Sequence, residues 1–398
     1  MSCLVRKNSF VSPNGNLMTI DIPIEAIEYR GNFAVSVIIP MHNAKKTIDT
    51  CLGSILQSIA YLEQTHTETI PIEVIIINDG STDDSIQTIE AIQNKYPNCK
   101  DRLSIHTQAQ QGPSAARNHG TRLAKNPWLL YIDTDVEIPV HCLARLQQLI
   151  STHTDIIGIN ALPNIHFDYG AWASTYTNHS LFFQLYHHGT MVNTCFTSLC
   201  LLHRNAWEYM HGWDESQYGR YVDDVQSRWS LPPRILQTKE ISFIHHKHVH
   251  FWGLYKHRYN IGFHFIHSVW RHLGTKKTFS ASKNSLHNII IHARYPINCI
   301  IAFSSAVLFV LSFLPIQLLN FPICSGIILC VHVYTNFALA QFILEAEQTL
   351  HPHKILQTLL RTASIFFLAY IEGICMLLGM LWAIISLSTS FFHAPTKR

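Results

Sequence analysis

The sequence predicts an α/β fold: a Rossmann-like domain with a mostly parallel sheet, followed by an α-helical membrane-spanning region. Three observations carry this. Short β-branched runs alternate with segments of helical period early in the chain, acidic residues close several of those runs, and charged side chains vanish towards the C-terminus. Of the 398 residues, 47% are hydrophobic and only 14% are charged, against about a quarter charged in ordinary soluble domains. This balance excludes intrinsic disorder and places the missing charge in one region. Lys plus Arg number 29 and Asp plus Glu 26. An excess this small excludes a basic nucleic-acid binder, so no nucleic-acid partner is expected. The ten cysteines include no Cys-x-x-Cys and no zinc-ligand spacing, and the nearest informative pair is Cys195 and Cys200. Reduced, buried thiols follow.

Residues 1–33 read as an N-terminal extension. They hold Arg6, Lys7, Pro13 and Pro23 but no continuous apolar core, so no secretory signal is expected and the domain that follows should stay in the cytosol. Val35–Pro40 is β-branched and closed by proline, a strand buried on both faces. Ile48, Cys51, Leu52, Ile55, Leu56, Ile59 and Leu62 then recur at three and four residues, which predicts an amphipathic helix over Ala44–Leu62. Glu73–Asn78 is a second buried strand. Asp79-Gly80-Ser81-Thr82-Asp83 combines a turn with capping residues ahead of a helix over Ser85–Lys95. The pattern repeats as strand Leu103–His106, a helix near Ser114–Lys125 and strand Trp128–Ile132, so parallel crossovers are predicted. A further strand is expected at Ile241–Ile244.

From Tyr295 to Leu344 there is no Asp, Glu, Lys or Arg, more than twice the ~20 residues that a helical span needs. Pro315, Asn320 and Pro322 divide this run into a hairpin, and Ala363–Leu387, with Glu372 inside it, reads as a third span. About three membrane helices over 295–390 are therefore expected. Lys256, Arg258, Arg271, Lys276, Lys277, Lys283 and Arg294 precede the first and favour cytosolic retention of the part before it. Within the linker 251–294, Phe251–His272 interleaves aromatic and basic residues. It reads either as an amphipathic segment along lipid headgroups or as a closing helix of the soluble domain.

In open α/β sheets ligands sit beyond the carboxyl ends of the strands. Asp79 ends the second strand, and Asp133-Thr134-Asp135 follows the fourth. Two carboxylates one residue apart at a strand end suit Mg2+ or Mn2+, hard cations that take oxygen ligands and share their remaining positions with phosphates. Turns also collect aspartates for capping alone, so the motif gains meaning only from the strand before it.

The runs SVIIPMHNA (36–44), VIIINDGSTDDS (74–85), QGPSAARNHG (111–120), LLYIDTDVEIP (129–139) and GWDESQYGRYVDDVQSRW (212–229) resemble, in order and spacing, the motifs of family 2 glycosyltransferases with the GT-A fold. The resemblance covers residues 34–250. It implies a sugar-nucleotide donor, with Asp135 as the direct metal ligand and Asp133 towards the donor ribose or the metal shell. Asp79 and Gly80 would recognise the base, Pro40, His42 and Asn43 would edge the nucleoside pocket, and Arg117 would lie beside the donor phosphates. Asp224 matches the general base, Asp223 its acidic neighbour, and Asp214 and Glu215 the loop that shapes the acceptor pocket. Among His245, His246, His248 and His250, the first is placed in order to add a metal ligand, although 26 histidines make any single one a weak candidate.

The resemblance has departures. Ser230 stands where many members carry arginine, with Arg228 displaced. Gln226-Ser227-Arg228-Trp229 abuts the acidic pair, unlike the downstream signature of processive synthases, so a processive polymerase is disfavoured. The resulting expectation is an inverting transferase, multi-pass in a membrane, using a UDP- or GDP-sugar and a lipid-linked or glycan acceptor at the cytosolic face. A nucleotidyltransferase and an inactive membrane scaffold are the alternatives.

Overall fold

A computed structural model describes residues 33–65, 69–167, 169–186, 190–215, 231–247 and 249–272, two short strands before them, and scattered helical positions between 304 and 382. The chain divides into two compact units. The first comprises Met1–Ala161, Thr190–Glu215 and Gln226–Ile241; the second comprises Leu162–Gly189, Ser216–Val225 and Ser242–Arg398.

A hairpin of β1 (Ser9–Val11) and β2 (Leu17–Thr19) opens the first unit. The main sheet begins with β3 (Val35–Met41), followed by α1 (Ile48–Thr65), β4 (Ile72–Asp79), α2 (Ser85–Lys95), β5 (Leu103–Gln108), α3 (Pro113–Leu123) and β6 (Trp128–Ile132). These four strands pair in parallel in the order β5-β4-β3-β6. They are the predicted crossovers. The inner strands β3, β4 and β6 are buried almost without alternation, as strands covered on both faces are, whereas β5 at the sheet edge is only partly buried. After β5 the chain returns to the other side of β3, so the direction of winding reverses between β3 and β6. In this architecture that is where a ligand is received.

β7 (Val136–Glu137), α4 (Cys142–Thr152), β8 (Gly158–Pro163), α5 (Trp172–Tyr186), β9 (Met191–Val192), β10 (Leu199–His203), α6 (Arg204–Tyr209) and β11 (Ile235–His245) follow. The sheet continues as β6-β10-β8-β11-β7, with β9 paired to β11. β10 runs antiparallel to both β6 and β8. The sheet, expected to be mostly parallel, is parallel in one half and mixed as a whole. β11 extends well upstream of Ile241–Ile244, because Ile235 to Thr238 are buried although Gln237, Thr238, Lys239 and Glu240 are polar. The helix expected from Ala44 starts at Ile48, with a turn over 45–47 before it. The amides of Ala44 and Lys45 instead donate to Ser85 Oγ at 2.8 Å and Asp83 Oδ2 at 3.0 Å, which ties the loop after β3 to the loop after β4.

Helix α3 lies against β3 and β4. A Cβ on Gly120 would sit 2.6 Å from Ile38 Cγ2, so only glycine permits this approach. Arg204 closes its C-terminal end: Nη1 donates to the Thr121 carbonyl at 3.1 Å, and Nη2 to Ala124 at 2.6 Å and Asn126 at 3.0 Å. A cation there satisfies orphan carbonyls and complements the helix dipole. The preceding His203 caps α6, its Nδ1 accepting from the Asn205 amide at 3.3 Å, an arrangement that a protonated ring cannot make. Burial, reinforced by Arg204, pushes His203 from 6.5 down to about 4. The folded state then binds fewer protons than the unfolded chain between those values. Its contribution is complete above about pH 6.5 and is lost as the pH falls towards 4. Denaturant unfolding at pH 7 and pH 4 should show His203→Gln losing about 3 kcal/mol less than the wild type.

The four described cysteines of this unit, Cys51, Cys142, Cys195 and Cys200, are free and buried, as the spacing predicts. Burial alone pushes Cys142 up to about 12.

In the second unit, Tyr176 and Phe183 of α5 cluster with Leu254 of α7 (Phe251–His272) and with Leu339, Ile343 and Ile365. Asn178, His179, His332 and Asn336 are buried in this unit, whereas Trp252, Phe337, Leu360 and Trp382 are more than half exposed. Among the described residues no helix is long and apolar enough to cross a membrane. The spans expected over 295–390 fall mostly outside the described residues.

Candidate active site

The loops following β3, β4, β5 and β6 meet at the carboxyl edge of the parallel strands, all within the first unit. Asp79, at the end of β4, is 3% exposed. Its carboxylate accepts from Gln108 Nε2 at 2.9 Å and from the amides of Gln111 at 2.8 Å and Gly112 at 2.7 Å. It does not cap α2; it holds the turn that starts α3. Gln108 Oε1 in turn accepts from His119 Nδ1 at 2.8 Å. Burial, with Arg122 and His106 nearby, holds His119 below the usual histidine range.

His42 and Asn43 form the exposed rim beside Asp79. Amides of Asn43 and Gln110 both face His42 Nε2 at 3.2 Å. Nε2 is therefore the acceptor, and Nδ1 donates to the Asp79 carbonyl at 2.9 Å. Asn43 adopts a left-handed φ of 50°. Its side-chain oxygen accepts from the Thr82 amide at 2.8 Å while its own amide donates to Ser81 Oγ at 3.0 Å. Gly80 has φ 68°, and a Cβ there would lie 3.0 Å from the Gln110 nitrogen. Pro40, half-buried in β3, pairs in register with Ile77. The predicted nucleoside edge is thus one connected loop surface.

Arg117 projects from α3 and is nearly enclosed, with its side chain 5% exposed. Its Nη2 donates to Asp133 Oδ1 at 2.8 Å. The other oxygen, Oδ2, accepts from Ser198 Oγ at 3.0 Å. Asp133 itself is 27% exposed, so a fixed carboxylate still faces outward. Asp135 is half-buried two residues on. Cys51 Sγ lies 3.5 Å from the Asp133 carbonyl oxygen. Burial first, then the charges of Asp135 and Asp133, drive its thiol far above the usual range.

On the other side of α3, Asn118 is buried and uses its whole amide. Nδ2 donates to the Trp213 carbonyl and to Glu215 Oε1, each at 2.8 Å. Oδ1 accepts from the Trp213 amide at 2.8 Å and from Trp207 Nε1 at 3.1 Å. Gly212, at φ 76°, leaves no room for a Cβ, which would approach Asn118 Oδ1 to 2.9 Å. Trp213 packs edge-on against Tyr131 at 5.5 Å. Asp214 and Glu215 are thereby held at a defined place, and Arg122 reaches Glu215 at 3.4 Å. Asp223 and Asp224 lie outside the described residues.

His245 belongs to the second unit, where it is buried with Phe243 edge-on at 6.2 Å. Among the described residues no group of three or more His, Cys, Asp or Glu could hold a metal ion. The donors that do suit Mg2+ or Mn2+ are the oxygens of Asp133 and Asp135. Two carboxylates one residue apart at a strand end suit such an ion, which draws its remaining ligands from water and phosphate.

Asn118, Ser198, Gln108 and Cys51 were not legible as site residues. Asn118 had one signal, its place beside Arg117. Ser198, distant in sequence, had none.

Residues 36–206 match the family described as glycosyl transferase family 2. This segment is similar to a family 2 glycosyltransferase domain. The domain is 38% identical over 128 residues to the uncharacterized glycosyltransferase YibD of Escherichia coli (strain K12), which covers 32% of this chain and 33% of that protein. It is 27% identical over 132 residues to the poly(ribitol-phosphate) beta-glucosyltransferase of Bacillus spizizenii (strain ATCC 23059 / NRRL B-14472 / W23), covering 33% and 19%. The chain thus spans about a third or less of these two curated relatives. A mannosyltransferase from Pyrobaculum calidifontis, solved with GDP-Man and Mn2+, superposes with a TM-score of 0.47 at 13% identity, over 87% of this chain and 88% of that one. The matched segment runs from within β3 to within α6 and contains Asp79, Arg117, Asp133, Asp135 and Ser198.

Proposed function

We propose that the chain is an inverting glycosyltransferase. It moves a sugar from a UDP- or GDP-sugar to a lipid-linked or glycan acceptor at the cytosolic face of a membrane, by metal-assisted single displacement. The observation that carries this reading is the Arg117–Asp133 pair, set beside Asp135 at the winding reversal of a family 2 domain.

The chemistry needs three things from the chain. The nucleoside must be held, and the connected surface of Pro40, His42, Asn43, Asp79 and Gly80 offers polar groups for it, with Asp79 keeping that surface in shape. The diphosphate must be placed next to Asp133 and Asp135, which would hold Mg2+ or Mn2+, while buried Arg117 orients Asp133. When bound, the divalent ion neutralises the charge that develops on the leaving diphosphate. The acceptor hydroxyl must lose its proton as it attacks the anomeric carbon. Asp224 is assigned as the base, with Asp223 beside it and Asp214 and Glu215 shaping the acceptor side.

Membrane attachment through 295–390 is part of this proposal. Support comes from the charge-free run Tyr295–Leu344 and from the second unit, which buries Asn178, His179 and Asn336 while leaving Phe337, Leu360 and Trp382 outside. Exposed apolar side chains of this size suit a hydrocarbon surround.

Incubating the full chain in detergent with a panel of nucleotide sugars and Mn2+ tests the reaction class. Nucleoside diphosphate is the expected product. Release of inorganic diphosphate would mean nucleotidyl transfer, and no release with any donor would mean a scaffold. In the same assay Asp224→Asn should retain donor binding and lower transfer about a hundredfold or more; unchanged turnover would remove Asp224 from the base role.

A further inference from the structure

We propose that Ser198 is a positioning residue for divalent-ion and nucleotide binding, acting through Asp133; the inference rests on the functional reading above. Ser198 immediately precedes β10, and β10 runs antiparallel to β6 with Leu199 opposite Ile132. The register therefore delivers Ser198 to Asp133, the first residue after β6. The two residues are joined twice. The Asp133 amide donates to the Ser198 carbonyl at 3.2 Å, and Ser198 Oγ donates to Asp133 Oδ2 at 3.0 Å.

Arg117 Nη2 holds the opposite oxygen at 2.8 Å. One donor on each oxygen, from two different elements, fixes the plane of the carboxylate as well as its position. Arg117 supplies charge and Ser198 supplies the second point that stops rotation about the Arg117 contact. Ser198 is 8% exposed, so water does not readily replace its hydroxyl. Each carboxylate oxygen accepts more than one bond, which leaves Asp133 able to meet the metal shell or the ribose while both protein donors stay in place. A serine that only stabilised the β6–β10 junction would affect folding alone. A positioning serine sets ion affinity, because partners behind a ligand typically change metal affinity about 10–100-fold.

The test measures Mn2+ binding by electron paramagnetic resonance on the full chain in detergent, with UDP or GDP present. Ser198→Ala is expected to weaken Mn2+ binding about tenfold, and Ser198→Thr, which keeps the hydroxyl, to restore it. Should the alanine variant fail to fold, Ser198→Thr and Ser198→Val, of equal shape but unequal hydrogen bonding, carry the same comparison. Wild-type affinity in folded Ser198→Ala or Ser198→Val would overturn the positioning role. Absence of Mn2+ binding to the wild type with either nucleotide would overturn the functional reading, and this role with it.

Discussion

Replacing Asp135 by alanine is expected to lower Mn2+-dependent release of nucleoside diphosphate about a thousandfold, equivalent to about 4 kcal/mol of transition-state stabilisation. The size follows from charge. Asp133 is paired with Arg117 and bonded to Ser198, so its negative charge is largely balanced within the protein. Asp135 adds a second carboxylate at the strand end where the divalent ion is proposed to bind. Removing it leaves a neutralised pair facing a doubly charged cation. The defect should appear as weaker metal-dependent donor binding, read by titrating Mn2+ against nucleotide. Turnover and metal affinity both unchanged in Asp135→Ala would sink the assignment.

Asn118→Leu is expected to destabilise the first unit by about 4 kcal/mol. The substitution is close in shape but removes every polar atom. It strands the amide and carbonyl of Trp213, a residue 2% exposed, and takes a bond from both Trp207 Nε1 and Glu215. Each buried group left unpaired costs about 1–3 kcal/mol. Asn118→Asp tests the same idea differently: Oδ1 is kept, but the donor to Trp213 and Glu215 is lost and a like charge is placed beside Glu215. Denaturant unfolding followed by tryptophan fluorescence measures both. A loss under about 1 kcal/mol for the leucine variant would mean that the Trp207–Glu215 segment is held by something else.

Both predictions pass through α3, and the sequence showed only half of what that helix does. Arg117 was legible because a guanidinium in a recognisable run suggests phosphate; the structure gives it Asp133 as partner. Asp79 was legible as an acid at a strand end. That it would spend its carboxylate on the turn before α3 was not, because Gln111 and Gly112 donate from the backbone, which carries no residue code. Asn118 gave only the signal of its place beside Arg117, because an asparagine on a helix is ordinarily a solvated residue. Only the crossing of α3 beneath residues 207–215 turns it into a four-bond clamp.

Hydrophobic period and chain punctuation are local, and they alone determined the alternating strands and helices from Val35 to Ile132, the parallel half of the sheet, the acids at strand ends and the long uncharged run after Tyr295. Strand order, the antiparallel return of β10, the pairing of Ser198 with Asp133 and the division into two units were decided by tertiary structure. These depend on which surfaces meet across tens of residues. Meeting is governed by shape and by the pairing of buried polar groups, neither of which a short window of sequence contains.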